Sequence, residues 1–367
     1  MSDKKREVDE ARQEMAKVDG QLLALLDRRA KLSRRVGELR KDVLPVLPQG
    51  ERAQIAAIVA HGSGDMPEGA VRGIFREIFA TCLALELPVP VAYAGSEGGT
   101  GHVAARARFG VTANYVPAET VAAALDEVTR QRAAFAVVPF ETRADGPVQT
   151  TIVQLTASDL KIVACFELSQ NLQLVGRTGN VADVEKVYAT AADHALCERT
   201  LARELPKAKV LDVKSPLLAC QFAAEDHGAA AIAHLDLATQ TGLEVALKNV
   251  RDEGDDRVRY AVVGTRPSSR TGNDLTALAL AVADAPGALH GILSQFAERG
   301  INLTRIQSRP APALRGGLAA ASEGDAWQYL FFIEVVGHAT DRNVVAALED
   351  VKRQTKFLKL LGSYEAP

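Results

Sequence analysis

The first ninety or so residues carry one long helical pattern of apolar positions. Residues 8–41 contain no proline and are rich in Leu, Ala, Arg, Lys and Glu. Read as heptads, they place apolar side chains at two core positions, with Met15, Leu22 and Val36 at one and Val18, Leu25, Leu32 and Leu39 at the other. Such a helix would be ~50 Å long, and a small unit cannot bury so long a stripe alone. The pattern therefore predicts pairing with a second copy of the chain, and shorter helices follow over 53–60 and 68–85.

From residue 89 to about 264 the pattern changes to alternating strands and helices. Short apolar runs between Ala-rich helical stretches predict strands, namely VPVAYAG, FAVVPF, KIVACFEL, KVYAT, KVLDV, AAAIAH and RYAVVG. This alternation predicts mostly parallel sheets with helices on both faces, arranged as two lobes around a cleft, with RYAVVG returning to the first lobe. Ligands of such folds bind where strands end at the cleft, so the loops of interest are 95–102, 139–146 and 255–260.

The C-terminal part predicts a small α/β unit. Its first helix shows apolar residues at helical spacing, Leu289, Ile292, Leu293 and Phe296, and ends at Gly300. Around and after this helix the predicted elements are strands over 275–284, 301–308 and 327–336, a helix over 343–352 and a strand over 357–364. The order βαββαβ is the ferredoxin-like layout.

Composition narrows the possible functions. The formal net charge of the 367 residues is −3, so we expect neither nucleic acid nor a membrane as a partner. The four cysteines form no CxxC pair, which indicates neither a zinc site nor a disulfide framework. The Gly-rich run 95–102 lacks the GxGxxG spacing, so no cofactor is expected, and the run is either an anion nest or a plain turn. The N-terminus is charged and no membrane-length apolar run occurs, so the expected location is the cytoplasm.

Three arginines of the N-terminal helix are candidates for ligand binding. Arg29 occupies a core position between Leu22 and Val36, whereas Arg12 and Arg40 lie four heptads apart on the edge of the same stripe. An unpaired guanidinium group is costly to bury, so each should meet an anion. Either carboxylates of the protein neutralise them, or they hold a dicarboxylate ligand bidentately.

These helices resemble the all-helical chorismate mutase, which is an intertwined dimer. The resemblance implies that Arg29 binds a substrate carboxylate and that Arg12 reaches into the partner's site. It places Arg40 and Glu86 at the ether oxygen of chorismate and makes Arg52 a further clamp. Because the rearrangement is pericyclic, the site must supply positioning and positive charge rather than a nucleophile.

The three loops of the α/β region resemble the GPxGTYSH, VPIENS and TRF motifs of prephenate dehydratase. The resemblance assigns catalytic roles to Glu141 and Thr142 in the second motif and to Arg259 and Tyr260 in the third, with the arginine binding a carboxylate. In that family, a hydroxyl group of the third motif protonates the leaving hydroxyl of prephenate while carbon dioxide departs. Val258 occupies that position here, and a valine side chain cannot donate a proton.

Residues 286–310, PGALHGILSQFAERGINLTRIQSRP, resemble the ACT domain attached to prephenate dehydratases. The resemblance implies that phenylalanine is the effector. The residues that match the family's GAL turn and ESRP strand are Gly287, Ala288, Leu289, Gln307, Ser308, Arg309 and Pro310. A glycine lets a ligand approach the backbone, and the N–H groups at a helix start can hold a carboxylate. A domain that only mediates dimerisation is the alternative.

The three resemblances follow one another in the order found in bifunctional enzymes of phenylalanine biosynthesis. They imply a multidomain chain with an all-α mutase-like dimerisation domain over 1–87, a two-lobed, periplasmic-binding-protein-like dehydratase domain over 88–266 and a ferredoxin-like ACT domain over 272–367. We expect a homodimer that converts chorismate to prephenate and then to phenylpyruvate, with feedback by phenylalanine. Val258, and Ala53 where the mutase family has glutamate, motivate two alternatives: a non-catalytic amino-acid sensor, and a prephenate decarboxylase that does not aromatise the ring.

Overall fold

The computed structural model describes residues 2–40, 47–62, 64–86, 88, 90–143, 146–252, 257–282, 285–310 and 329–366. Within these residues the chain forms two compact units. A helical unit lies mainly within Met1–Val89 and takes in Ala107–Asn114, and an α/β unit holds most of the remainder. The dehydratase-like and ACT-like regions therefore belong to the same unit.

The helical unit confirms the three predicted helices. They are α1 (Ser2–Leu39), α2 (Glu51–Ala60) and α3 (Glu68–Glu86). The predicted end of the long helix, residue 41, lies outside the described residues. No helix among the described residues is both long and apolar enough to cross a membrane.

The apolar stripe of α1 is open to solvent in a single chain. All the side chains of the predicted seam are exposed, from 38% for Val36 to 78% for Leu39. The helix is ~57 Å long at 1.5 Å per residue. A continuous exposed apolar surface of this extent marks an interaction surface.

The dehydratase-like region consists of two lobes. The first contains β1 (Val91–Ala94), α4 (Thr100–Phe109), β2 (Tyr115–Ala118), α5 (Val121–Thr129), β3 (Phe135–Thr142), β4 (Gly146–Pro147), α6 (Gln149–Ala157) and β5 (Lys161–Ser169). The second contains β6 (Leu172–Gly176), a 3₁₀ turn (Val181–Asp183), β7 (Lys186–Ala189), α7 (Ala191–Glu204), β8 (Lys209–Asp212), α8 (Pro216–Glu225), β9 (Ala229–His234), α9 (Leu235–Thr241) and β10 (Glu244–Leu247). As predicted, β11 (Arg257–Gly264) then returns to the first lobe, between β5 and β3.

Local capping explains where several of these helices begin. Thr120 and Thr190 accept hydrogen bonds from backbone N–H groups in the first turns of α5 and α7. Ser215 caps α8, and Pro216 follows at the first helical position, where its fixed φ suits a helix. These caps follow within three residues of the ends of β2, β7 and β8.

Both lobe sheets are mixed, so the prediction of mostly parallel sheets was wrong. β1 runs parallel to β2 and β3, and β7 runs parallel to β8 and β9. By contrast, β11 is antiparallel to β3 and β5, and β6 is antiparallel to β9 and β10. Strands that enter a sheet after the chain has crossed between lobes run against their neighbours. An apolar run identifies a buried strand but does not report its direction.

The ACT region has the predicted βαββαβ order. Its elements are β12 (Asp274–Ala281), α10 (Ala288–Ala297), β13 (Leu303–Pro310), β14 (Tyr329–Val336), α11 (Arg342–Gln354) and β15 (Phe357–Glu365). The strands are antiparallel in the order β13-β14-β12-β15, which is the ferredoxin-like arrangement. Residues 327–328 of the predicted third strand lie outside the described residues.

The ACT sheet continues into the first lobe. β15 runs parallel to β5 where Gly362 meets Ile162, and the described strands of both regions form one sheet. A Cβ atom on Gly362 would collide with the Ile162 carbonyl oxygen, so this contact requires glycine. Phe140 of β3 and Phe332 of β14 lie edge to face with ring centroids 5.6 Å apart, in a core that both regions share. The two regions therefore meet through backbone and side chains alike.

Candidate active sites and effector site

Arg29 is held against α3 by uncharged groups. Its guanidinium carbon lies 4.5 Å from the centre of the Phe79 ring, and Nη1 donates a hydrogen bond to the Ile78 carbonyl oxygen at 3.3 Å. Among the described residues, no carboxylate pairs with it. A cation–π contact and one carbonyl leave the half-buried charge uncompensated. Of the two interpretations of the sequence, an anionic ligand fits Arg29 better than an internal carboxylate.

The other predicted mutase residues lie in the same helical unit. Arg40 donates to the Glu86 carboxylate at 2.8 Å, so the structure brings these two together and an internal carboxylate does meet Arg40. Arg12 and Arg52 lie exposed on α1 and α2. Along α1, Arg12 is ~25 Å from Arg29, too far for both to touch one small substrate within a single chain.

The Gly-rich loop after β1 reaches across to the second lobe. Gly98 has φ +80°, and a Cβ atom there would stand 2.7 Å from the Leu237 side chain and 3.0 Å from the Leu217 backbone nitrogen. A side chain at this position would push the lobes apart. The loop therefore packs directly against the second lobe at Leu217 and Leu237.

His102 stands at the end of this loop in a fixed orientation. Its ring stacks on Tyr93 with centroids 4.9 Å apart and meets Tyr115 edge to face at 5.4 Å. The Gly98 N–H donates to Nδ1 at 3.0 Å, so Nε2 carries the proton of the neutral ring. Burial, and after it the charge of Arg106, lowers the pKa of His102, so the ring is neutral at neutral pH.

Tyr260 of β11 lies at the junction of the lobes. Its ring is fully buried and stacks on Phe166 with centroids 5.9 Å apart. Its hydroxyl group is hydrogen-bonded to Thr100 of the Gly-rich loop and to Gln170, which stands where the chain passes between the lobes. Burial raises the pKa of Tyr260, so the hydroxyl keeps its proton at neutral pH and can donate it. The first and third predicted loops thus converge here.

Thr142 and Val258 oppose each other in the β3–β11 ladder. Directly opposed residues share a face of a sheet, and Tyr260, two residues along β11, lies on that same face. Val258 is buried. Val258 has no hydroxyl group, but two hydroxyl groups share its face of the sheet. One belongs to Thr142, directly across the ladder, and the other to Tyr260, two residues along β11.

Arg259 points from the opposite face of β11, towards the ACT region. Only 5% of its surface is exposed. Nη2 lies 2.9 Å from the Glu334 carboxylate of β14 and 3.4 Å from the Tyr364 hydroxyl of β15. Glu141 of β3 lies 3.5 Å from Nη1. A bulge in β3 beside Phe140 lets Glu141 share this face, because two residues of β3 stand there against one of β11.

The buried pair of Arg259 and Glu334 is ionised. Burial by itself lowers the pKa of Arg259, but neighbouring Cys165, Tyr364 and Glu334 outweigh it, and the pKa is raised. Burial likewise raises the pKa of Glu334, but Arg259 outweighs it, and the pKa is lowered. Tyr364 donates to the same carboxylate at 2.7 Å. Arg259 and Glu334 thus compensate each other, whereas either charge would be costly to bury alone.

The edge strand β13 completes this network, which we call the Arg259 cluster: Arg259, Glu141, Arg305, Glu334 and Tyr364. Thr304 donates to Glu334 at 2.9 Å, and Arg305 forms an ion pair with Glu141. Four residues of the cluster line a cavity of about 380 Å³ between β11 and the ACT strands, namely Arg259, Glu141, Arg305 and Glu334. The pleat of the sheet therefore divides the predicted dehydratase residues, with Glu141 and Arg259 on one face and Thr142 and Tyr260 on the other.

The predicted effector residues lie at the start of α10 and in the second half of β13. Gly287 has φ +81° and precedes α10 without a side-chain cap. Arg309 pairs with Leu330, which also pairs with Ala281 shortly before that helix. Arg309 and Ala281 are thus level in the sheet and two strand spacings apart, ~10 Å. The remaining predicted residues flank them: Ala288 and Leu289 open α10, and Gln307, Ser308 and Pro310 lie on β13.

Several residues of these sites were missed from the sequence. Glu334 did carry a signal, because it is a lone carboxylate in the apolar run YLFFIEVV. Thr100 lies within the Gly-rich loop that the sequence singled out. Gln170, Arg305 and Tyr364 carried none, because only the packing of distant strands gives them their partners.

Comparisons with known proteins agree with this organisation. Family models match in chain order: Chorismate mutase type II over residues 11–87, Prephenate dehydratase over 91–268 and the ACT domain over 276–353. A bifunctional chorismate mutase/prephenate dehydratase of Aquifex aeolicus is 37% identical over 98% of this chain and 98% of its own length. That of Neisseria gonorrhoeae is 31% identical over 95% of this chain and 94% of its own.

Solved structures give the same answer for the α/β unit. A crystal structure of prephenate dehydratase from Arthrobacter aurescens, in complex with L-Phe, is 30% identical to this chain with a TM-score of 0.63. It covers 76% of this chain, and 90% of that protein is matched. The fold and the sites define an enzyme that joins a helical mutase part to a two-lobed dehydratase part with an ACT domain. The chain belongs to the bifunctional chorismate mutase/prephenate dehydratase family, and these relatives do not favour the sensor or the decarboxylase.

Proposed function

We propose that this enzyme converts chorismate to prephenate in its helical unit and prephenate to phenylpyruvate in the cleft of its α/β unit, under control by phenylalanine. The observation that carries the proposal is Arg29, a half-buried guanidinium group that an aromatic ring and a carbonyl orient. It is placed to receive one carboxylate of a dianionic substrate. The reactions are consecutive, because the product of the first is the substrate of the second.

The mutase site combines residues of two subunits. Arg29 binds one carboxylate, Arg52 is a further clamp, and Arg40 with Glu86 stands at the ether oxygen. Arg12 comes from the partner of a homodimer, because it lies too far along α1 to act within its own chain. The exposed stripe of α1 supplies the dimer contact. In the reaction a C–O bond breaks as a C–C bond forms, and positive charge at the ether oxygen stabilises the transition state.

The dehydratase site uses hydroxyl groups on the Tyr260 face. The ring carboxylate leaves as carbon dioxide, its bonding electrons aromatise the ring, and the ring hydroxyl departs as water after taking a proton. Tyr260, held by Thr100 and Gln170, donates that proton, and Thr142 orients the leaving group. Hydroxide is far more basic than a phenolate, so the transfer is favourable despite the raised pKa of Tyr260. Glu141 and Arg259 hold the same two strands from the other face.

The effector site takes phenylalanine at the level of Gly287 and Arg309. The uncapped N–H groups at the start of α10 meet the carboxylate. Nε of Arg309 is buried and has no hydrogen-bond partner among the described residues, which leaves a donor at this end of β13. The Arthrobacter aurescens relative, crystallised with L-Phe, supports the same effector here.

The enzyme works in the cytoplasm. Cys82, Cys165, Cys197 and Cys220 are buried free thiols. Burial raises the pKa of Cys165, Cys197 and Cys220 to about 12, so these thiols are unreactive packing groups. Buried thiols without a disulfide framework suit a reducing compartment.

Product identification tests the proposal directly. Purified protein is incubated with chorismate or with prephenate, and products are identified by ultraviolet spectrum and mass. We expect prephenate from the first and phenylpyruvate from both. A non-aromatic product that has lost only carbon dioxide would overturn the dehydratase half, and unchanged chorismate would overturn the mutase half.

A pair of substitutions tests the proton donor. Tyr260→Phe should lower the dehydratase kcat by about 100-fold or more, the usual worth of general acid catalysis. Adding Val258→Thr to that variant puts a hydroxyl back on the same face and should restore part of the rate. The mutase rate, carried by another unit, serves as the control and should not change. A Tyr260→Phe variant with the full dehydratase rate would exclude this donor.

A further inference from the structure

Arg259 and Tyr260 are neighbours that face different parts of the enzyme. The Arg259 side chain contacts Glu334 and Tyr364 of the ACT strands, and the Tyr260 hydroxyl contacts Thr100 in the cleft. One peptide bond joins them, within a strand paired on both sides. Any force on the Arg259 guanidinium group is therefore carried by stiff backbone to Tyr260.

The strand β13 contributes residues both to the Arg259 cluster and to the predicted effector site. Its first half supplies Thr304 and Arg305, which bind Glu334 and Glu141, the two carboxylates that also meet Arg259. Its second half carries the predicted effector residues 307–310. Because one strand holds both sets, an effector that moves β13 must change the contacts of the Arg259 cluster.

The Arg259 cluster has a carboxylate that two guanidinium groups share. One oxygen of Glu141 is paired tightly with Arg305, and the other lies 3.5 Å from Arg259, at the long end of an ion pair. If β13 withdraws Arg305, Glu141 is free to close on Arg259. Loss of Arg305 would leave Glu141 with Arg259 as its ion-pair partner, because a carboxylate that is largely buried is costly without one.

We propose that Arg259 is a positioning residue through which β13 of the ACT domain sets the orientation of Tyr260 in the dehydratase cleft. Arg259 acts through its neighbour and does not bind the substrate carboxylate, because protein groups occupy Nη1 and Nη2 and its side chain, with the buried Nε, lies on the face of β11 opposite to Tyr260. This inference rests on the proposed function, since it takes phenylalanine as the effector and prephenate as the substrate.

The first test removes the link from β13 without touching Arg259 or the effector residues. Arg305→Gln should bind phenylalanine within about threefold of the wild-type Kd by calorimetry. Its inhibition, measured as the ratio of kcat/KM without and with saturating phenylalanine, should weaken by about 2- to 30-fold. Arg299→Gln is the matched control, because Arg299 pairs with Asp350 inside the ACT domain and is exposed to 25% against 26% for Arg305. It should be inhibited like the wild type.

The second test separates positioning from substrate binding. Arg259→Gln combined with Glu334→Gln removes both buried charges together, which limits the loss of stability. A positioning role predicts that kcat for prephenate falls about 10- to 100-fold while KM stays within about threefold. A large rise in KM with unchanged kcat would show that Arg259 binds substrate and would overturn the proposal.

The outcomes also distinguish this inference from the proposed function. If the wild type forms phenylpyruvate and is inhibited by phenylalanine, but Arg305→Gln is inhibited equally, the inference alone fails. If the wild type forms no phenylpyruvate or binds no phenylalanine, the proposed function fails and the inference with it.

Discussion

Two buried or half-buried arginines show how differently this chain treats positive charge. Arg29 of the helical unit rests on Phe79 and a carbonyl oxygen, with no carboxylate partner among the described residues. Arg259 of the α/β unit meets the carboxylates of Glu334 and Glu141 and the Tyr364 hydroxyl. The same side chain is left uncompensated in one place and neutralised in the other.

The difference separates a ligand-binding arginine from one that stabilises the protein. A guanidinium group without an anion gains most when a substrate brings one, so its substitution should reduce catalysis. A guanidinium group that protein carboxylates have neutralised has little to offer a ligand, so breaking its pair should reduce stability. The experiments below test this division, from the largest expected effect to the smallest.

Arg29→Met should lower the mutase kcat/KM by about 100- to 1000-fold, the usual loss when one group that stabilises transition-state charge is removed. Steady-state consumption of chorismate measures it. Arg28→Met, on an exposed neighbour, is the control and should stay within about twofold of the wild type. Equal losses in both variants would mean that net charge on the helix, rather than Arg29, matters.

Glu334→Gln should destabilise the α/β unit by about 3–5 kcal/mol, because it leaves Arg259 buried without its main partner. Denaturant unfolding followed by tyrosine fluorescence measures this loss. The control is Glu167→Gln, whose pair with Arg257 spans 3.8 Å at side chains exposed to 41% and 44%. Its cost should stay below about 1 kcal/mol. A Glu334→Gln variant as stable as the control would show that Arg259 is not held by this carboxylate.

His234 sharpens the comparison, because it is a base for which burial outweighs the favourable charge of Asp236. Burial lowers its pKa to about 4 from the ordinary 6.5, and Nε2 has no partner among the described residues. Because the pKa of His234 is lower in the folded state than in the unfolded state, protonation favours unfolding. The protein therefore keeps its full stability above pH 6.5 and loses part of it as the pH falls towards 4. The loss amounts to about 3 kcal/mol.

His234→Gln should therefore flatten the fall in the unfolding midpoint between pH 6.5 and 4. Thermal unfolding of the wild type and the variant at several pH values measures the difference. His227→Gln, at an exposed position, is the control and should retain the slope of the wild type. If the wild type and His234→Gln lose stability in parallel, His234 titrates normally.

The pair of Arg40 and Glu86 should show the smallest coupling. The two side chains lie 2.8 Å apart but are exposed to 53% and 16%, so water screens their attraction. A double-mutant cycle with Arg40→Gln and Glu86→Gln should give about 0.2–1 kcal/mol by denaturant unfolding. A coupling of several kcal/mol would show that Arg40, like Arg259, is neutralised by a protein carboxylate rather than left to bind a ligand as Arg29 is.

Much of the fold could be predicted because its signals are local. The heptad pattern of α1, the apolar runs of β3 and β11 and the βαββαβ order of the ACT region all follow from spacing within one segment. The mixed sheets could not be predicted, because β11 and β6 gain their direction only from partners far along the chain. The apolar residues of a buried strand are the same whether its neighbours run parallel or antiparallel to it.

The candidate sites divide in the same way. Residues such as Tyr260 and Gly287 belong to short sequence motifs that can be recognised without a structure. The contacts of Arg259 cannot be read, since Glu334 and Tyr364 follow it by 75 and 105 positions. A lone carboxylate in the strand YLFFIEVV hinted at a buried partner but could not name it.

The order of its motifs is enough to assign this chain to a family and to nominate its arginines, because composition and spacing belong to the sequence itself. Which nominated residue meets a ligand and which meets another part of the protein depends on the folded chain. The physical reason is the pleat: neighbouring residues of a strand face opposite ways, so the partners of Arg259 and Tyr260 exist only after distant strands have paired.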